Sequence, residues 1–332
     1  MKFMRQGDNP AKLQTLPEQK YTHRVIIPIY IPNDSGYFQH SFETVQLCIQ
    51  SLLQTTHKQT ALTIIANGCS KEVLNYLIDL TDQKIIDTLI INAENKGKVD
   101  PIVGAMKSCF EPLITITDCD VLFKVGWQRE VENLYTVFPN LGMVSPIPFP
   151  AAYNTFTTWS WYLGFTKGNL TRESNKDEES LRLFKQSIGT GNQLTDIEKH
   201  PIYLTYKNKK ACLGAGHFCA TYNRNIIPYI PLTSSGLNIN NAEKDYLDKP
   251  VEQGGFLRLS TVTGYVYHMG NVPEAWMNGV IAQNNGYTEQ PLKLVIDKGI
   301  KLPLKSNKWI AKIISSPRFK KFKLLFVKHT RQ

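Results

Sequence analysis

The run Leu113-Ile114-Thr115-Ile116-Thr117, closed by Asp118-Cys119-Asp120, decides how this chain reads. Five consecutive apolar or β-branched residues form a strand buried on both faces, as in a parallel sheet. Side chains alternate along a strand, so Asp118 and Asp120 point to the same side at its carboxyl end. Two carboxylates held together repel each other and resist desolvation. A divalent cation relieves both problems. Hard oxygen ligands at this spacing suit Mg²⁺ or Mn²⁺, and such an ion can hold a diphosphate. A solvated loop with two acids is the alternative reading of the same residues.

On either side of this run, strand alternates with helix. Residues 24–30 (RVIIPIY) predict a first buried strand, and 41–55 a helix with its apolar side at Phe42, Val45, Leu47, Ile49, Leu52 and Leu53. Strands follow at 61–66, 85–91 and 142–146, and helices at 71–80, 99–110 and 127–138. Pro101 falls in the first turn of its helix, where a missing N–H costs little. This alternation predicts an α/β fold: a Rossmann-related, mostly parallel central sheet with helices on both faces. Ligands of such sheets bind beyond the carboxyl ends of the strands, where the two acids lie. The pattern changes near Pro146. Residues 153–165 are rich in aromatics, 168–199 are polar with a short helix at 177–186, and 213–222 and 256–268 read as strands around a 242–253 that is helical apart from a break near Pro250. The expected organisation is an arm (1–22), two halves of one catalytic domain (23–150 and 151–297) and a tail (298–332).

Composition narrows the function classes. With 332 residues and 42% hydrophobic content, the chain can build one large α/β domain. No apolar run is long enough to span a membrane, and residues 1–19 lack the apolar core of a signal peptide. The six cysteines are scattered with no C-x-x-C pair, which fits a reducing cytosol better than a zinc ribbon. No G-x-G-x-x-G follows the first strand and no P-loop occurs. The net charge is +10, yet no acid follows Asp297, and the tail carries Lys298, Lys301, Lys305, Lys308, Lys312, Arg318, Lys320, Lys321, Lys323, Lys328 and Arg331. The body is therefore close to neutral, which argues against a nucleic-acid enzyme. The tail interleaves its cations with Trp309, Ile313, Ile314 and Phe319. It reads either as a segment resting on an anionic membrane surface or as a helix packed on the body with a solvated basic face.

The order of motifs over residues 24–270 resembles the family 2 glycosyltransferases of the GT-A fold. The resemblance is carried by Pro28 and Tyr30, by Asn67-Gly68-Cys69-Ser70, by Asn95 and Gly97, by the D-x-D of Asp118 and Asp120, by Glu243-Lys244-Asp245, by Gly255-Phe256, and by His268. It implies an enzyme that moves a sugar from a nucleotide-sugar donor to a glycan or lipid-linked acceptor, with inversion and with Mn²⁺ or Mg²⁺; the cysteines and the cationic tail add the expectation of a cytoplasmic location at the inner face of the membrane. Pro28, Tyr30, Asn67, Gly97, Lys98 and Asp118 would border the donor. Asp118, Asp120 and His268 would hold the metal, and an imidazole ligand tilts the choice toward Mn²⁺. Asp245 would be the general base, with Glu243 and Asp248 as competing acids. Trp159, Trp161 and His217 would border the acceptor, although indole rings are more often core because they bury so much area. A non-catalytic glycan- or nucleotide-binding module of the same fold is the rival reading. The chain departs from the family at Ala66, where many members carry an Asp that touches the base, at Lys244, which splits the acidic pair, and at Ile31-Pro32, which lengthens the first loop.

Overall fold

The computed structural model describes residues 7–15, 20–236, 242–294, 308–322, 325 and 327–329. The chain runs β1 (His23–Ile29), α1 (Ser41–Thr55), β2 (Thr60–Asn67), α2 (Lys71–Asp82), β3 (Thr88–Asn92), α3 (Val99–Ser108) and β4 (Leu113–Thr117). These four strands pair in parallel in the order β3-β2-β1-β4. In β1, Val25, Ile27 and Ile29 enter one core with α1 and α2, while Ile26 enters the opposite core with α3. A strand apolar at nearly every position is thus buried on both faces. After β1 the chain builds β2 and β3 on one side, then returns to lay β4 on the other. A ligand crevice opens where the order reverses, outside the carboxyl ends of β1 and β4.

The chain continues through β5 (Val121–Phe123), α4 (Trp127–Val137), β6 (Leu141–Ser145), α5 (Thr158–Thr166), β7 (Asn169–Arg172), α6 (Glu178–Ser187), α7 (Asp196–Lys199), β8 (Ile202–Tyr206), β9 (Lys209–Leu213) and β10 (Cys219–Asn223). Next come α8 (Lys249–Gln253), β11 (Leu257–Ser260), β12 (Val266–His268), α9 (Ala275–Asn284), α10 (Lys308–Ser315), α11 (Pro317–Phe322) and β13 (Lys328–His329). The sheet grows to eleven strands in the order β13-β7-β8-β9-β11-β6-β10-β4-β1-β2-β3. Strands β1 to β4 pair with one another in parallel, as expected. The second half adds parallel β6–β11 and β7–β13 pairs, but inserts β10 antiparallel between β4 and β6.

Several boundaries differ from the sequence reading. Residues 213–222 are two strands, because Gly214 turns at φ +106° against the Phe149 carbonyl, where a Cβ would lie 2.8 Å from the oxygen. Residues 256–268 also split: β11 stays in the main sheet, and β12 leaves it to pair with β5. The third strand starts only at Thr88. Residues 244–248 form a π-helical turn, and Pro250 sits in the first turn of α8 instead of breaking a helix. The polar segment 168–199 holds β7, α6 and α7.

In the tail, Ile314 is buried and Phe319 stands edge-on to Phe165 of α5, so α10 and α11 pack on the body. Trp309 and Ile313 stay exposed on α10. The boundary after Asp297, and Lys298, Lys301, Lys305, Lys323 and Arg331, lie outside the described residues, as do the side chains of Lys308, Lys320, Lys321 and Lys328. Among the described residues, no helix is long and apolar enough to cross a membrane.

Candidate functional site at the sheet reversal

The two aspartates are fixed through their main chain. The Asp118 N–H donates to the Phe218 carbonyl just before β10, and the Asp120 carbonyl accepts from the Met269 N–H just after β12, both at 2.7 Å. β12 pairs with β5 so that His268 lies opposite Val121, which brings the imidazole Nε2 to 3.5 Å from Asp120 Oδ2. One ligand atom each from Asp118, Asp120 and His268 falls within 4.8 Å of the others. Asp120 Oδ1 is buried with no hydrogen-bond partner among the described residues. An orphaned buried acceptor costs roughly 1–3 kcal/mol, more when charged. Burial pushes the Asp120 carboxyl up to about 6; His268 pulls it back and Asp118 adds to the rise. Two carboxylates and an imidazole, one of them with an unclaimed oxygen, fit a hard or borderline dication. The Gly270 N–H donates to His268 Nδ1 at 3.3 Å, so the neutral ring carries its proton on Nε2, facing Asp120. Ligation through Nε2 needs the proton on Nδ1, and the Gly270 contact must then give way.

Lys98 faces this cluster from the N-cap of α3. Its ammonium bridges the Asp118 carboxylate and Glu243 Oε1, the latter at 2.5 Å. Burial pushes its pKa down, and the two carboxylates more than reverse this. A cation at a helix N-terminus opposes the dipole by about 0.3–1 kcal/mol, so the acids hold Lys98 there. Asn67, at the end of β2, fixes the loop that carries it. Its Nδ2 donates to Asn95 Oδ1 and to the Gly97 carbonyl, both at 2.9 Å. Its Oδ1 accepts from Asn92 Nδ2 and from the Lys96 N–H, both at 3.1 Å. Gly68 and Gly97 adopt φ of +77° and +74°, and a Cβ on Gly68 would lie 2.8 Å from the Asn95 nitrogen.

A cleft of about 360 Å³ opens over these groups, walled by Pro28, Tyr30, Tyr37, Phe38, Asn67, Asn95, Lys98, Asp118 and Asp120. A second cleft of about 380 Å³ is lined by Phe149, His217, Glu243, Lys244 and Asp248. There the His217 imidazole stands 3.5 Å from both Glu243 Oε2 and Asp248 Oδ2. Burial lowers the His217 pKa, but Asp248 and Glu243 raise it further, favouring imidazolium. Arg258 Nη2 holds Asp248 Oδ2 at 2.9 Å. The Lys98–Glu243 ion pair joins the two clefts.

The reversal thus gathers Pro28, Tyr30, Asn67, Lys98, Asp118, Asp120 and His268, with His217 at the neighbouring cleft. Gly97 is buried behind the first cleft, its carbonyl held by Asn67. Asp245 lines neither cleft: it is 55% exposed, and among the described residues its ion pair is with Lys249, at 3.6 Å. In a π turn residues five apart come together, so Glu243 and Asp248 share the inner face and Asp245 points away. Trp159 and Trp161 are core side chains, 7% and 0% exposed, and donate their indole N–H to the Glu252 and Tyr153 carbonyls. Sequence reasoning missed Tyr37, an exposed ring on the wall of the first cleft. Its only signal was an aromatic beside Gly36 in a turn.

No protein-family model matches the chain, and no curated protein matches it. Among solved structures, the mannosyltransferase PcManGT from Pyrobaculum calidifontis, in complex with GDP-Man and Mn²⁺, is 12% identical over 80% of this chain, with a TM-score of 0.43. The match covers 61% of that enzyme, so the chain spans less than two thirds of its length. Glucosyl-3-phosphoglycerate synthase from Mycobacterium tuberculosis, in complex with Mn²⁺, UDP and glucosyl-3-phosphoglycerate, is 9% identical over 80% of this chain and 77% of its own, with a TM-score of 0.40. TarS 1–349 of S. aureus, in complex with UDP-GlcNAc, is 12% identical over 91% of this chain and 75% of its own, also at 0.40. The architecture of this chain is GT-A-like on its own terms: parallel β3-β2-β1-β4, an antiparallel strand beside β4, and a D-x-D leaving β4 into the crevice.

Proposed function

We propose that the chain is a metal-dependent, inverting glycosyltransferase that moves a sugar from a nucleoside diphosphate onto a glycan or lipid-linked acceptor in surface polysaccharide or glycolipid synthesis. The observation that carries this reading is the Asp118–Asp120–His268 cluster beside an aromatic-walled cleft at the sheet reversal. Asp118, Asp120 and His268 would hold Mn²⁺ or Mg²⁺, which would neutralise the departing diphosphate. Tyr30 and Tyr37 offer ring faces to a nucleobase. Lys98 and the N-terminus of α3 suit phosphate oxygens. The acceptor hydroxyl would give its proton to a carboxylate as its oxygen bonds to the anomeric carbon, and the bond from that carbon to the phosphate oxygen breaks on the opposite side. Glu243 suits the base role better than Asp245, because it lines the second cleft and pairs with Lys98 on the wall of the first. Trp309 and Ile313 on α10, with the cationic tail, fit peripheral contact with an anionic inner membrane face.

The test is a panel of nucleotide sugars, scored by hydrolysis and by thermal shift with and without Mn²⁺. At least one donor plus Mn²⁺ should raise the melting temperature of the wild type and not of Asp120→Asn. Melting temperatures unmoved by every donor would retire the reading. For the membrane contact, Trp309→Ser/Ile313→Ser should lower co-sedimentation with phosphatidylserine vesicles; equal sedimentation would remove it.

A further inference from the structure

Lys98 is placed where a divalent cation and a diphosphate would each make a demand on it. Its ammonium already neutralises Asp118, one of the three candidate ligands, and Glu243, the acid shared with the second cleft. Both carboxylates are three-quarters or more buried, so neither finds full compensation from water. The ammonium sits at the start of the ten-residue α3, where main-chain N–H groups already favour an anion. Asp100, the acid in that first turn, is turned aside by hydrogen bonds from Ser234 and the Ser235 N–H.

We propose that Lys98 is the resident counter-ion of the donor-free site, and that it leaves Asp118 for the diphosphate when a divalent cation takes Asp118. This rests on the metal and donor reading given above and adds a coupling to it. A cation arriving alone must displace the ammonium from Asp118 and leave it beside the new positive charge. A cation arriving with a diphosphate gives the ammonium a new partner. Metal and diphosphate therefore assist each other through Lys98, beyond any contact they make with one another. The same movement draws Lys98 from Glu243, so the carboxylate facing the second cleft is left to His217 alone among these partners only when a donor is present.

Mn²⁺ alone and Mn²⁺ with inorganic pyrophosphate, titrated calorimetrically into the full chain, test this. Lys98→Met should bind Mn²⁺ alone about tenfold more tightly than the wild type, a coupling of ordinary size. It should also lose most of the gain that pyrophosphate gives the wild type, after correction for Mn²⁺–pyrophosphate association in solution. Lys98→Arg, which keeps the charge, should stay near the wild type for Mn²⁺ alone. Circular dichroism establishes that each variant is folded, and Asp120→Asn in the Lys98→Met background should abolish the tight site. If folded Lys98→Met binds Mn²⁺ no more tightly than the wild type, the counter-ion role is overturned while the metal site stands. If no form binds Mn²⁺ with or without pyrophosphate, the metal reading falls and takes the coupling with it.

Discussion

Asn67→Asp separates two roles for the residue that ends β2. The substitution keeps the shape and removes two donors. Asn95 Oδ1 and the Gly97 carbonyl, each now 2.9 Å from an amide nitrogen, would face a carboxylate oxygen instead. Asn67 is 3% exposed, so water cannot readily repair the loss. Asn95 Oδ1 keeps the Gly97 N–H at 2.8 Å, so the Gly97 carbonyl is the acceptor left unsatisfied, which predicts a destabilisation of about 1–3 kcal/mol. Urea unfolding followed by tryptophan fluorescence reads this as a lower midpoint at unchanged slope. The loosened 92–98 loop carries Lys98, so binding of Mn²⁺ with pyrophosphate should weaken as well. If Asn67 served the nucleobase edge instead, the variant would keep its stability to within about 0.5 kcal/mol, as ordinary surface changes do, and alter the preference among bases. That result would refute the knot as the reason for Asn67.

Glu243→Gln should cut turnover on the best donor and acceptor by about 100-fold or more, the usual share of a general base, while Asp245→Asn changes it little; the reverse ranking would restore Asp245. Tyr37→Ala should weaken nucleoside diphosphate binding by the worth of one stacked base, about 1–3 kcal/mol, read by calorimetry. Arg24 and Glu111 supply a pH signature. Burial pushes the Glu111 carboxyl up, and the Arg24 guanidinium at 2.6 Å more than reverses this, leaving its pKa lowered. The stabilisation is therefore present above the unfolded carboxyl value of about 4.3 and is lost as pH falls through the folded one. The melting-temperature gap between wild type and Arg24→Met should be wide at pH 7 and narrow below about pH 4. A constant gap would mean that Arg24 acts by packing alone.

The parallel half was legible because its physics is local. Strands such as β1 and β4 are runs of apolar and β-branched residues buried at nearly every position, and the helices between them carry one-sided apolar periodicity. The pair Asp118 and Asp120 was legible for the same reason, lying at the end of one strand. His268 was reachable only through the resemblance, since its approach depends on β12 leaving the main sheet for β5. Asp245 was carried over from the motif order of the resemblance, and its direction was not legible because the turn that holds it is π-helical. Trp159 and Trp161 showed their aromatic content but not their direction: α5 is buried along nearly its whole length, so no polar face marked which rings look outward. Tyr37 lies in a loop, where no periodicity tells wall from surface.

The two clefts are more tightly joined than their separate linings suggest. From Asp118 through Lys98, Glu243, His217 and Asp248 to Arg258, charge alternates in sign at every contact. The rungs come from the residue after β4, the N-cap of α3, the π-helical turn and its N-cap, the β9–β10 connection and β11, so the line crosses the crevice between distant parts of the chain. Poorly hydrated charges persist only when each is paired, and removing one leaves its neighbour uncompensated. A ligand that takes Asp118 therefore cannot act on the donor side alone. It changes what Lys98 must neutralise, hence what Glu243 sees, hence how His217 is held between two acids. Asp248 ends the relay because Arg258, 2% exposed, also donates to the Thr155 and Ala215 carbonyls and has no freedom to follow. Arg258 is thereby the fixed end of the line, and the rungs with room to re-pair are those that line the two clefts.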